Sequence, residues 1–251
     1  MRIKDLFIHL FMRSFCGWKQ VFIFLLVITG FQVIALAQKG HHSGYDSVVR
    51  QDYPLDQCLV NGVIHKDFFA VQQGHPFFES DAFWPGSVNI GGQLYKDLLL
   101  RYDLYRQQVE MIYSYREAQY SIYLTDDPVD AFSLGEMSFR KLSLEGKKPE
   151  YYQVIATSRF TCYIHREKIR EPIPDGVAYP DETSTFFIKT GQGTEGFKSN
   201  RQFLKHFKQE HQVEIRRLFR ARSFNFRQAT GMEMLTSLNE VSALIESREA
   251  L

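Results

Sequence analysis

Cysteine is scarce in this chain: Cys16, Cys58 and Cys162 are the only three in 251 residues, too few for a small scaffold stapled by several disulfides. Excess charge of one sign is missing too, since 30 Lys and Arg stand against 29 Asp and Glu, so the overall balance does not call for nucleic acid. There is no GxSxG and no HExxH, which removes the nucleophile elbow and the two-histidine zinc helix. Metal-binding spacing is also lacking. His206 and His211 are five residues apart, a rotation of about 140° around a helix, and His65, His75 and His165 have no ligand type close by. His41-His42 sits in a polar stretch and reads as part of a mobile tail.

Long apolar runs are limited to one. Val21 to Ala37 is uncharged, follows Arg13 and Lys19, and ends in Ala35-Leu36-Ala37, the small-x-small pattern cut by signal peptidase. Its 17 residues, interrupted by Gly30 and Gln32, fall short of the roughly 20 that a bilayer span needs. Residues 1–37 are therefore expected to be a cleaved signal peptide, leaving 251 − 37 = 214 residues that begin at Gln38. The stretch before the run is long for such a peptide, and Met12 would give a more ordinary start than Met1. Removing four basic residues and one acid turns a net charge of +1 into −2. That charge is uneven: residues 198–251 hold ten Lys and Arg against six Glu, so they carry +4 and residues 38–197 carry −6.

What the chain has is aromatic residues, 22 Phe and 13 Tyr, and short alternating runs. From Leu94, one parity reads Leu94, Lys96, Leu98, Leu100, Tyr102, Leu104 and the other Tyr95, Asp97, Leu99, Arg101, Asp103, Tyr105. A period of two puts these on opposite faces of a strand. Leu98, Leu100 and Tyr102 are expected in the core, with Asp97, Arg101 and Asp103 outward as solvated charges, because the other register would bury two acids and an arginine. Asp97 and Asp103 stand about 20 Å apart along the strand, too far for paired acid and base work. Gly91-Gly92 before this strand and the loop Arg106 to Gln108 after it make a three-stranded meander.

The fragment from Gly62 to Phe69 echoes Gly92 to Leu99, with a fainter copy at Gly135 to Leu142, which reads as a repeated hairpin with glycine at the turn. Val71 to Pro85 between the first two copies is broken by Gly74, Pro76 and Pro85 yet holds Phe77, Phe78, Phe83 and Trp84. Such a loop reads as a plug closing one end of a β-core. Further strands are expected over residues 120–124, 131–134, 137–142, 151–157, 160–169 and 185–189.

The fold class is thus mainly β, an antiparallel meander, sandwich or open barrel, with a short C-terminal helical segment, α+β overall. The expected layout is a flexible lead-in over 38–56, a β-rich domain over 57–197 and a basic helical segment over 198–251. In that last segment, Ser199 with Gln202 and Thr230 with Glu233 have the spacing of capping boxes, and Val213 to Arg222 reads as another helix.

Candidate sites are few. Cys58 and Cys162 could pair in an oxidising compartment, closing a loop of about 100 residues and adding up to roughly 4–5 kcal/mol in the chain-entropy model; two separately buried thiols are the alternative. Gly191 to Gly196 spells GxGxxG, but the helices after it leave no second strand for a dinucleotide fold, so it reads as a flexible turn. Ser138 to Lys141 and Lys189-Thr190-Gly191 match fragments of penicillin-recognising serine enzymes, but Ser138 falls in an expected strand and no Ser-Asp-Asn element joins them. Lys198 to Arg227 holds nine Lys and Arg against two Glu. In an exported protein, Lys205, Lys208, Arg216, Arg217 and Arg220 read as a patch for an anionic partner or as a solvated helix face.

Gly74-His-Pro-Phe-Phe78, Trp84 and the run from Gly86 to Val109 resemble a group of uncharacterised exported proteins common in Bacteroidota, in which a tyrosine-containing strand follows a glycine turn and a short basic helical tail closes the chain. The resemblance implies export and a β-rich fold and brings no catalytic residues. The resulting expectation is a non-catalytic exported envelope protein, periplasmic or outer-membrane-associated: a binding or scaffolding domain with no cofactor and no nucleic acid. Its partner would be an envelope protein or an anionic glycan or lipid surface, with peripheral membrane contact. The competing reading is an envelope hydrolase whose site is assembled from residues distant in sequence.

Overall fold

The structure, a computed structural model, describes Leu59 and residues 62–64, 71–115, 118–125 and 128–249. The expected signal peptide, the lead-in and Cys58 lie outside the described residues. The strands are β1 (Val63–Ile64), β2 (Val71–Gln73), β3 (Trp84–Ile90), β4 (Gln93–Asp103), β5 (Gln108–Tyr115), β6 (Ala118–Tyr123), β7 (Val129–Leu134), β8 (Met137–Leu142), β9 (Glu150–Ala156), β10 (Thr161–Glu167), β11 (Glu171–Ile173), β12 (Gly176–Ala178), β13 (Thr183–Thr190) and β14 (Gly193–Phe197). Three helices follow, α1 (Asn200–Leu204), α2 (Gln209–Ala221) and α3 (Gly231–Glu249). Eleven strands form one open antiparallel sheet in the order β1-β6-β5-β4-β3-β7-β8-β9-β10-β13-β14, and β11-β12-β2 form a small second sheet. The mainly-β, α+β expectation therefore holds.

Gly91 and Gly92 both take positive φ, 57° and 86°, the requirement of the tight turn joining β3 to β4. The glycine-turn-and-strand repeat recurs at Gly135, also at positive φ, between β7 and β8. Most of the copy that starts at Gly62 lies outside the described residues.

Parity along β4 departs from simple alternation. Gly86 faces Leu98 while Val88 faces Tyr95, so β4 carries one extra residue there, and Asp97 sits at φ 57°: a β-bulge. The bulge switches faces, leaving Tyr95 buried at 4 % and Leu94 out at 47 % exposure, while Leu98, Leu100 and Tyr102 go in as expected. A further correction concerns the opposite face. Asp97 is exposed, but Asp103 is fully buried and the Arg101 side chain is only 15 % exposed.

The plug expectation explains why. Phe78 N–H donates to the Tyr102 carbonyl, Leu104 N–H donates to the Pro76 carbonyl, and Phe77 bridges to Asp103. The segment before β3 thus pairs with the end of β4 where β3, which starts opposite Leu100, does not reach.

The core falls into two clusters. In the first, Tyr102, Phe132, Phe139 and Tyr151 pack with ring centroids 4.7 to 5.9 Å apart, together with Phe78, Leu100, Met111 and Leu134. The second packs Ile155, Cys162, Ile164, Phe186, Ile188 and Phe197 under the helices, which add Phe203, Phe219, Met234, Leu238 and Val241, with Phe226 coming from the α2–α3 connection. Burying each such side chain stabilises by about 1.5–3 kcal/mol. Alternate positions of β9 link the clusters: Tyr151 belongs to the first and Ile155 to the second, with buried Gln153 between them.

The Thr230–Glu233 capping box forms as the spacing indicates, whereas Ser199 caps its helix and Gln202 reaches back one residue further, to Lys198. Gln202 N–H donates to Ser199 Oγ while Lys198 N–H donates to Gln202 Oε1. Glu233 N–H donates to Thr230 Oγ1 while Thr230 N–H donates to Glu233 Oε2. Gly231 opens α3 hard against the first core, since a Cβ there would lie 2.5 Å from Met137 Sδ and 2.7 Å from Phe78 Cζ.

Candidate binding cleft

β13 is longer than its outer neighbour. It pairs with β10 from Thr183 (opposite Glu167) to Lys189 (opposite Thr161), whereas β14 pairs only with Phe186 to Thr190. Thr183–Thr185 therefore extend past the end of β14 with no strand on that side among the described residues, because after Phe197 the chain turns away into α1. A cleft of about 760 Å³ opens there, and the five consecutive residues Thr183 to Phe187 line it. Successive side chains of a strand point to opposite faces, so consecutive residues share one cleft only when it runs along the strand's edge. The hydroxyls of Thr183, Ser184 and Thr185 line it together with the rings of Phe186, Phe187 and Phe197.

Charged groups rim the cleft. Lys198 and Arg227 come from the two ends of the basic stretch, and Lys147 and Glu145 from the β8–β9 turn. Arg227 Nε donates to the Lys198 carbonyl at 3.2 Å, which holds the two ends together. Lys147, Lys198 and Arg227 are exposed, and none forms an ion pair with a carboxylate among the described residues. Glu182, also in the lining, is committed to Arg166 Nε at 3.1 Å. Burial pushes the Glu182 carboxyl above the usual carboxylate range, with Arg166 pulling against it.

Arg166 ties the cleft to the interior. Its Nη1 donates to Gln153 Oε1 at 2.6 Å, and Gln153 Nε2 donates to the Gly231 carbonyl at 3.0 Å. The guanidinium lies 5.1 Å from the Phe78 ring centre, and Nη2 has no hydrogen-bond partner among the described residues. Burial lowers the pKa of Arg166, yet a guanidinium stays charged in proteins. This seam of Arg166, Gln153 and Glu182 lies where the two cores meet.

A second polar cluster sits under the plug. Arg101 Nε donates to Glu110 Oε2 at 2.6 Å, and its guanidinium stacks 3.7 Å from the Phe77 centroid and 4.4 Å from that of Phe83. Ser121 Oγ donates to the other Glu110 oxygen. Asp103 accepts from Tyr105 N–H, Arg106 N–H, Arg106 Nη1 and Tyr123 Oη. Burial, then Asp103, raises the pKa of Tyr123 and keeps it a donor. Each carboxylate has a cation and further donors, so the cluster is internally satisfied.

The residues expected to form a basic patch for an anionic partner are all exposed. Lys205 follows α1, Lys208 precedes α2, and Arg216, Arg217 and Arg220 ride on α2, with Arg217 held by Glu214 at 3.0 Å. Cys162 is a fully buried free thiol in the second core, and burial raises its pKa; Cys58, its expected partner, is outside the described residues. Gly191 to Gly196 is not only a turn, because its last four residues open β14. Among the described residues no three His, Cys, Asp or Glu gather as a metal site, and no helix is long and apolar enough to cross a membrane. Sequence reasoning missed the cleft, although Thr-Ser-Thr ahead of Phe-Phe-Ile gives β13 a polar half and an apolar half.

No family model, curated protein or solved structure matches the chain.

Proposed function

We propose that this chain is a non-catalytic, exported envelope protein whose β-domain binds a ligand in the cleft at the end of β14. The overhang of Thr183–Thr185 supports the reading: a cleft of about 760 Å³, within the size range of ligand sites, runs along unpaired main chain. The basic face of α2 is then a secondary surface for an envelope partner or an anionic glycan or lipid surface. Export rests on Val21 to Ala37 and its small-x-small end, and N-terminal sequencing of envelope-extracted protein should begin at Gln38.

The hydrolase reading has one observation in its favour, for Glu145 and the raised-pKa Glu182 line the same cleft, and paired carboxylates can divide acid and base roles. Glu182 is occupied by Arg166, which favours binding over turnover.

Peptide and glycan arrays probed with the folded protein and with Thr185→Trp, which fills the cleft from an exposed strand position, test the proposal. A ligand held by the wild type, lost by the variant and recovered unchanged is expected. Equal retention by both proteins, or a ligand recovered as product, would overturn it.

A further inference from the structure

Resting on that reading, we infer that the cleft takes an extended peptide segment rich in carboxylates, added as a short strand beside Thr183–Thr185. In an antiparallel strand the N–H and C=O of one residue point to one side and those of the next to the other. Since β10 occupies one side of Thr183–Thr185, the main-chain groups on the other side face the cleft, in line with the β14 ladder that ends at Phe197. An added strand would continue that ladder, and strand addition draws its affinity from such main-chain bonds.

The charge of the occupant follows from the rim. Lys147, Lys198 and Arg227 have no carboxylate partner among the described residues, Glu182 is neutralised by Arg166, and Glu145 is the remaining acid. The excess is two positive charges on the walls of a slot that offers main chain and hydroxyls along Thr183–Thr185 and the rings of Phe186, Phe187 and Phe197 beyond them. Carboxylates on successive side chains of the added strand, which point to opposite faces, would meet Lys147 on one wall and Lys198 or Arg227 on the other. Thr183, Ser184 and Thr185 carry hydroxyl side chains, and the apolar lining of Phe186, Phe187 and Phe197 lies beyond them, so specificity comes mainly from charge and extended shape.

The test uses three short N-acetylated peptides of alternating Val and Thr with interspersed Glu, the same with Lys for Glu, and the Glu peptide N-methylated at alternate residues. Binding is followed by fluorescence anisotropy on the whole chain, with amide hydrogen exchange at Thr183–Thr185. The Glu peptide should bind at least about tenfold tighter than the Lys peptide, protect those of the Thr183–Thr185 amides that face away from β10, and lose at least about tenfold on N-methylation. Lys147→Glu/Lys198→Glu, both at exposed positions, should reverse the charge preference without altering the melt. Equal binding of the N-methylated peptide, a preference for the Lys peptide, or occupation of the edge by a second copy of the chain would overturn the inference. If no peptide binds but an array ligand is displaced by Thr185→Trp, the peptide inference falls and the binding cleft stands. If ligands ignore Thr185→Trp, both fall.

Discussion

The two halves of the sheet hide their apolar faces by different means. In the first half, strands β3 to β9 gather aromatic rings over one another, and the opposite face is closed by a loop whose Phe77 and Phe83 sandwich Arg101. In the second, three helices supply the missing layer over β9, β10, β13 and β14. The difference shows what each half can spare. A helical layer covers a face but leaves strand ends free, and the cleft lies where α1 turns away from β14. The first half has spent its charges internally, on Glu110 and Asp103, while the second keeps unpaired cations at its rim. The seam of Arg166, Gln153 and Gly231 joins the two, and on this account it makes them one cooperative unit.

The largest effect should come from Leu100→Asp, which puts a carboxylate at a position with no exposure and should abolish the folded state in circular dichroism. Arg101→Ser comes next. Simple alternation makes it a surface change within about 0.5 kcal/mol, but it strips the cation from a fully buried Glu110, and breaking such a pair costs about 3–5 kcal/mol. Urea melts decide between those figures, and the smaller one would mean that the plug does not close over β4. On the helical side, Thr230→Ala removes an exposed cap of α3 and should cost about 1 kcal/mol, so losing a helix cap hurts less than losing the plug's cation. The smallest effect is one of pH. Burial and Lys168 lower the His75 pKa below its ordinary 6.5, so the unfolded chain takes up the proton first as pH falls. Stability should be full above pH 6.5 and decline below it, and His75→Gln should flatten that decline in melts run from pH 7 to 5.

The strands were legible because local signals and tertiary structure agree. Met137 to Leu142 is the observed β8, the Thr230–Glu233 capping box closes as spaced, and Gly91-Gly92 makes the turn it spells. What alternation could not convey is the bulge at Asp97, since one residue at positive φ moves Tyr95 in and Leu94 out without changing the sequence pattern. Nor could it show that the face bearing Arg101 and Asp103 is covered, because the cover arrives from residues 76–83, outside the meander's own pattern. The cleft depends on where β14 ends relative to β13, a matter of register between two strands, and no single strand's composition carries register. Of the basic stretch, the residues singled out by density lie on α2 or between α1 and α2, while Lys198 and Arg227, its two ends, are the ones brought to the cleft.

Unfolding in urea the protein that begins at Gln38, in which Trp84 is the sole tryptophan, tests the joined-core account most directly, with Trp84 fluorescence reporting the first core and mass-spectrometric labelling of the buried Cys162 thiol reporting the second. Coincident midpoints are expected for the intact seam, with Arg166→Met lowering stability and drawing the two transitions apart. Separate midpoints in the protein with Arg166 in place, or an Arg166→Met protein that still unfolds in a single step, would contradict it.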